Sequence, residues 1–265
     1  MPAEGISRMT RRTQAVESAV RVLDLFSLSR PELSLKQICD QLHANASTVH
    51  RLLKAMEETS LVVRVAGTDL YRLGPKLMTL GSRALRQFPV REIALPYMRR
   101  LSEELGETIS LSHYENGMVI YLECVEGPGP LGLFLRIGSH APAHRVATGL
   151  AQLAYGDPAE VERLIAGGLT WSTEKPLGPD GFRACLEQVR ARGYAAEDGT
   201  GLYRVGVCAV AAPIFNSVGR PVAGMAVVGL ASDETMQDLD NVGCRVRQVA
   251  DEVTRLLGYP ANGQL

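Results

Sequence analysis

The segment Asn45-Ala-Ser-Thr-Val-His-Arg-Leu-Leu-Lys54 constrains this chain more than any other. Asn45 is a helix N-cap residue: its side chain can accept hydrogen bonds from backbone N–H groups that a first helical turn leaves unpaired. Val49, Leu52, Leu53 and Met56 follow at helical spacing, so one face of a helix running to about Glu58 must be buried. Ser47, Thr48, His50, Arg51 and Lys54 fall on or beside the opposite face. A short capped helix with small hydrogen-bonding and basic side chains on its open face fits the major groove of DNA.

The flanking sequence supplies what would hold such a helix in place. Val16, Ala19, Val20, Val22, Leu23 and Phe26 form a helical stripe over residues 13–28. Ser34-Leu-Lys-Gln37 has the form of a capping box and starts a second helix, with Leu35, Ile38, Cys39 and Leu42 as core positions. His43-Ala44 is a tight connection to the third helix. Two β-rich runs, Leu61–Val65 and Leu70–Leu73, flank the turn-like Ala66-Gly-Thr-Asp69. Three helices and a two-stranded hairpin make a winged helix-turn-helix over residues 10–74. Pro75 then suits the first turn of a linker helix over 75–89, with Leu77, Leu80, Ala84, Leu85 and Phe88 on one side.

In such a domain the N-terminal half of the third helix meets base edges, while the helix before it and the wing meet the backbone. Ser47, Thr48, His50 and Arg51 are the base-edge or near-base candidates, with Asn45 at their leading end. An Arg that forks onto guanine N7 and O6 discriminates by about 1–3 kcal/mol. Lys54, a turn further on, and Lys36, near the start of the second helix, are placed for phosphate, and Arg64 and Arg72 for wing contacts. Charge is partitioned accordingly: residues 1–90 carry 13 Lys and Arg against 8 Asp and Glu, and the remainder 15 against 21. A basic first third joined to an acidic remainder points to a nucleic-acid partner for the first part only.

From residue 90 the pattern changes. A helix over 92–105 precedes a hairpin of Thr108–Tyr114 and Met118–Val125, and Leu131–Ile137 reads as a further strand. Helices are expected over 145–155, 158–167, 181–192 and 235–257, and strands over 206–215 and 221–230. Meandering strands with helices on one side make a second α+β domain, over 90–260, and the whole chain is α+β. No run of about 18 apolar residues and no signal-like N-terminus are visible, so no membrane span is expected and the cytoplasm is the default location. The five cysteines are scattered, without disulfide-framework or metal spacing. His113, His140 and His144 lie near Ser112, Ser139 and Glu123, so an enzyme site can be drawn. No nucleophile elbow, Walker loop or His-Glu-x-x-His motif supports one. The same histidines with Cys124 allow a zinc site to be drawn, and a second domain that only oligomerises is also compatible with the pattern.

Ser47-Thr-Val-His-Arg-Leu-Leu53 and Tyr71-Arg-Leu-Gly-Pro75 resemble the N-terminal domain of IclR-type bacterial transcriptional regulators. The resemblance continues through Glu104–Thr108, Val119–Leu122, Arg136–Gly138, Pro142-Ala-His144 with Gly149, Arg192–Tyr194, and Gly206 to Pro213. It implies a regulator of a catabolic operon, read as a repressor, with no cofactor, no metal and no catalysis. It also implies a GAF-like second domain that binds a small effector, usually an organic acid, and homodimers or homotetramers on palindromic double-stranded operators. Position by position it places Leu133, Ala147, Thr148, Glu197, Asp198, Val207 and Ala209 around the effector, with the start of the helix at Ala147 holding a carboxylate without a dedicated Arg. This chain departs from the family pattern in having Ala209 where Cys is common, with Cys208 turned to the other sheet face. Ala226 and Val228 stand where small polar residues line some family pockets, and the stretch between Glu197 and Gly206 is longer. These departures imply an effector with an apolar or aromatic part.

Overall fold

A computed structural model describes residues 3–27, 29–128, 135–172, 176–200, 202 and 204–259, with side chains from Gln14 onward. The chain divides into two compact units, Met1–Gln87 and Phe88–Leu265.

The first unit is organised by local capping. Helix α1 spans Ala3–Asp24, starting earlier than its apolar stripe. Val22 and Phe26 reach the core, whereas Val16 and Val20 of the same expected stripe are exposed. Helix α2, Leu35–Leu42, begins with the complete capping box: Ser34 N–H donates to Gln37 Oε1 at 2.8 Å, and Gln37 N–H donates to Ser34 Oγ at 3.3 Å. It ends at His43 in the left-handed region, φ 52°, a position usually given to Gly or Asn. Helix α3 covers Ala46–Glu58, and Asn45 Oδ1 accepts from Thr48 N–H at 2.9 Å and from Ser47 Oγ at 3.0 Å. Asn45→Ala should therefore cost about 1 kcal/mol, read as faster native-state hydrogen exchange of the α3 amides in the full chain.

The wing differs from the expected two-stranded hairpin. Strands β2 (Val62–Arg64) and β3 (Leu70–Leu73) pair as anticipated, but β1 (Glu32–Ser34) joins β3 from the other side, giving the order β1-β3-β2. A three-residue strand carries too little alternation to be seen in sequence, and its partner lies far along the chain. Leu33, Ile38, Val49, Leu53, Met56, Val62 and Tyr71 form the core of this unit. Helix α4, Pro75–Leu85, has no buried residue, and Met78 and Leu80 are 78% and 44% exposed.

The second unit begins with helix α5, Pro89–Leu105, followed by β4 (Thr108–Glu115) and β5 (Met118–Val125). Strand β6 (His140–Pro142), one 3-10 turn and helix α6 (Ala147–Leu153) come next. Helices α7 (Pro158–Ala166) and α8 (Gly178–Arg192), strands β7 (Ala195–Asp198), β8 (Val207–Phe215) and β9 (Pro221–Leu230), and helix α9 (Leu239–Leu256) complete it. The described strands form one antiparallel sheet, order β6-β5-β4-β9-β8-β7. The strand expected over 131–137 has its first four residues outside the described ones, and residues 135–137 are not strand. Among the described residues β6 is the edge strand beside β5, and β7 is a further strand that the sequence pattern did not reveal.

Helices cover both faces of this sheet, not one. Helices α6 and α8 cover the face that carries Ala209, Ala211, Ala226 and Val228. The intervening residues Val210, Ala212, Met225 and Val227 are also fully buried, which puts them on the opposite face by alternation, where α5 and α9 contact the same strands. Gly149 and Gly224 let α6 approach so closely. A Cβ at Gly149 would lie 2.6 Å from the Ala143 carbonyl carbon, and one at Gly224 would lie 2.7 Å from Thr148 O.

Candidate nucleic-acid interface and ligand cavity

Helix α3 buries Val49, Leu53 and Met56 and leaves Asn45, Ser47, Thr48, His50, Arg51 and Lys54 exposed. Lys36 on α2 and Arg72 on β3 are exposed as well. Arg64 is differently placed. Its guanidinium donates to the Tyr71 hydroxyl at 2.9 and 3.2 Å and lies 3.9 Å from Glu57 and 4.0 Å from Asp69. Tyr71 is buried, so Arg64 ties β2 to β3 and leans toward the end of α3. Any phosphate contact by Arg64 would compete with those bonds.

In the second unit a cavity of about 260 Å³ lies between α6 and the sheet. Its floor follows from strand register. Glu197 pairs with Ala209, which pairs with Val228 and then with Thr108; in the next row Ala195, Ala211, Ala226 and Ser110 stand side by side. Small side chains dominate these rows, so the floor is low and the space above it stays open. Of the residues expected to surround an effector, Ala147, Thr148, Glu197, Val207, Ala209, Ala226 and Val228 line this cavity. Asp198 does not; its carboxylate accepts from Thr200 N–H at 3.1 Å and Thr200 Oγ1 at 2.5 Å. Leu133 lies outside the described residues. Cys208 is buried away from the lining, as alternation requires.

Sequence reasoning missed Ser110, Tyr121, Leu135, Ser139, His140, Val146 and Arg204, which also line the cavity. Arg204, an exposed residue, stands in the longer stretch between Glu197 and Gly206. The helix expected to hold a carboxylate at its start has only seven residues, and its Gly149 and Leu150 N–H groups donate back to Val146 O. Two hydroxyls on the lining, Ser110 Oγ and Thr148 Oγ1, are buried without a hydrogen-bond partner among the described residues, as is the neighbouring Ser112 Oγ. Burying a hydroxyl unpaired costs about 1–3 kcal/mol, so each of these groups calls for a partner, from water or from a ligand in the cavity.

The remaining reactive side chains are accounted for by packing. His113 Nδ1 is 2.8 Å from Val222 O, and its ring packs on Phe88. His144 Nε2 is 3.0 Å from Thr170 O, its ring meets Trp171 and Phe182 edge-on, and burial lowers its pKa. Burial, then Glu126 and Glu123, push the Cys124 thiol up to about 11, far from a thiolate nucleophile. Among the described residues no three His, Cys, Asp or Glu side chains gather as metal ligands would. No helix among them is long and apolar enough to cross a membrane.

Comparison with known proteins bears on both units. The family model described as the IclR helix-turn-helix domain matches residues 15–66. The model described as the bacterial transcriptional regulator IclR C-terminal matches residues 82–255. The HTH-type transcriptional regulator XynR of Escherichia coli is 29% identical over 250 residues, covering 94% of this chain and 98% of that one. The probable transcriptional regulator SauR of Cupriavidus necator is 30% identical over 243 residues, covering 91% and 96%. The crystal structure of the Thermotoga maritima IclR superposes with a TM-score of 0.74 at 26% identity, covering 95% of this chain and all of that one.

Proposed function

Because this chain belongs to the IclR family of bacterial transcriptional regulators, we propose that it represses a catabolic operon and is released or retuned by a small organic acid bound in the α6 cavity. The observation that carries this reading is the pair of partnerless buried hydroxyls on the cavity wall, Ser110 Oγ and Thr148 Oγ1. Water or a ligand would pair them, and a domain that served only to oligomerise has no need of a cavity of about 260 Å³. The walls are otherwise mostly apolar, formed by Leu135, Val146, Ala147, Val207, Ala209, Ala226 and Val228, which suits an acid with a hydrocarbon or aromatic body. Arg204 and Glu197 are charged side chains on the same lining. The chain is a switch and not an enzyme, in keeping with its family.

The operator is read by Ser47, Thr48, His50 and Arg51 with Asn45 at their leading end, with Lys36, Lys54 and Arg72 on phosphates. Arg64 belongs to the wing more as a strut than as a contact. A homodimer or homotetramer would present two such helices to the half-sites of a palindrome. Exposed apolar side chains on two helices of the first unit, Val16 and Val20 on α1 and Met78 and Leu80 on α4, support self-association.

Arg51→Ala tests the DNA face. Binding to a fluorescent fragment flanking the protein's own gene, at fixed salt, should weaken by about five- to a hundredfold, the loss expected for one base-reading Arg. Oligomer size and ligand affinity should not change. Unaltered DNA affinity would remove Arg51 from the interface.

A further inference from the structure

We infer, on the reading of the α6 cavity as an effector site, that Arg91 is a positioning residue: it carries the state of the cavity wall to the first turn of α5. That turn is where the chain leaves the first unit and enters the second. The sheet is irregular beside the cavity. Leu111 pairs with Glu123, but the next residue, Ser112, pairs with Tyr121, so Leu122 is an extra residue bulging from β5. In a regular strand Tyr121 and Glu123 would share a face. The bulge turns them apart: Tyr121 lines the cavity, and Glu123 meets α5 on the other side of the sheet.

Arg91 grips that bulge at two points. Its Nε donates to Leu122 O at 3.2 Å, and its Nη2 lies 2.7 Å from Glu123 Oε2. Leu122 and Glu123 are both buried, and Glu123 Oε1 accepts from Cys124 N–H at 3.0 Å. A guanidinium fork serves a carbonyl and a carboxylate together, whereas a lysine ammonium is a point charge without that fixed geometry. Helix α5 depends on this grip because it lacks a cap of its own. Phe88 stands at its N-cap and makes no side-chain hydrogen bond to the first turn, unlike Ser34 on α2 and Asn45 on α3. The turn is held from the sheet instead, by Arg91 on the bulge and by Phe88 against the ring of His113, with 4.9 Å between centroids. Leu122, Glu123 and His113 all stand within two residues of the cross-strand pair Ser112 and Tyr121. A ligand that displaces Tyr121 shifts the Leu122 carbonyl, and Arg91 takes the turn with it.

The test needs no ligand. Tyr121→Leu alters the cavity wall, and hydrogen exchange over residues 90–97 of α5 is read by mass spectrometry in the full-length protein. With Arg91 present the substitution should speed that exchange by about two- to thirtyfold, the usual span of such coupling. In Arg91→Lys, which keeps a charge for Glu123 but loses the fork, the same substitution should change it by less than about twofold. Helix α9, packed on β8, should exchange alike in all four proteins. Tyr121→Phe, a smaller change, gives the same comparison should Tyr121→Leu unfold. Equal acceleration in the Arg91 and Arg91→Lys backgrounds would overturn the inference. So would an α5 that neither Tyr121 substitution affects, or an α9 that quickens as much as α5, which is general loosening. Affinity for the DNA fragment flanking the protein's own gene is read on the same proteins. A change with Tyr121→Leu that Arg91→Lys abolishes extends the coupling to DNA. Coupled exchange with unaltered DNA affinity would support the role of Arg91 within the second unit and count against the proposed effector switch.

Discussion

Gly149→Ala should destabilise the second unit by more than about 3 kcal/mol, beyond the usual range for overpacking. The added Cβ would lie 2.5 Å from Ala143 Cα and 2.6 Å from its carbonyl carbon. Both are backbone atoms of the turn that leads into α6, so no side-chain rotation relieves the clash. The helix cannot retreat toward the sheet, because Thr148 O already lies where a Cβ on Gly224 would be 2.7 Å away. The residue is buried in a helix whose every position is buried, so strain there spreads into the floor and roof of the cavity. Urea unfolding of the full chain should show the loss in the transition of the second unit, and ligand binding should vanish with it. A change below about 1 kcal/mol would mean that the turn over residues 143–145 moves freely.

Glu107→Gln should act in the opposite direction, and only at higher pH. The Glu107 side chain is buried, and that burial, with Asp233 nearby, raises its pKa from 4.5 to about 7. An acid whose folded pKa lies above its unfolded value holds its proton more tightly in the native state. The native state is therefore penalised as pH rises: the penalty is absent below about 4.5, grows between 4.5 and 7, and is complete above 7. A shift of that size corresponds to at most about 3 kcal/mol. The neutral amide avoids it. The variant should melt several degrees above the parent at pH 8 and nearly with it at pH 4.5, values chosen to bracket the titration. An equal difference at both pH values would point to packing and not to ionisation.

What the sequence made legible was local. The capping box at Ser34 and Gln37 and the cap at Asn45 are chemistry within four residues, and both form as the side chains dictate. The pairing of β1 with β3 and of β5 with β6 joins segments distant in the chain through three-residue strands, and no pattern announces it. Much of the cavity lining came from resemblance, at Ala147, Thr148, Glu197 and Ala209. The polar residue Ser110 carried a signal of its own. Thr108, Ser110 and Ser112 alternate along β4 as residues facing water would, yet every one is buried because helices cover both sheet faces. Buried polar alternation of this kind calls for internal partners: Thr108 finds one in Gly127 N–H, whereas Ser110 opens on the cavity. Arg204 had no such signal beyond the longer stretch that holds it. Val16, Val20, Met78 and Leu80 were legible as apolar stripes, but their exposure within a single chain was not.

The central claim is that one molecule in the α6 cavity changes the grip of α3 on DNA. Operator affinity of the full-length protein, measured at fixed salt with and without a saturating organic acid that binds the cavity, tests it most directly. The account predicts a change of about five- to 150-fold, the usual size of such coupling, and no change in Ala226→Phe, which fills the cavity floor. The same operator affinity with the site fully occupied would contradict it.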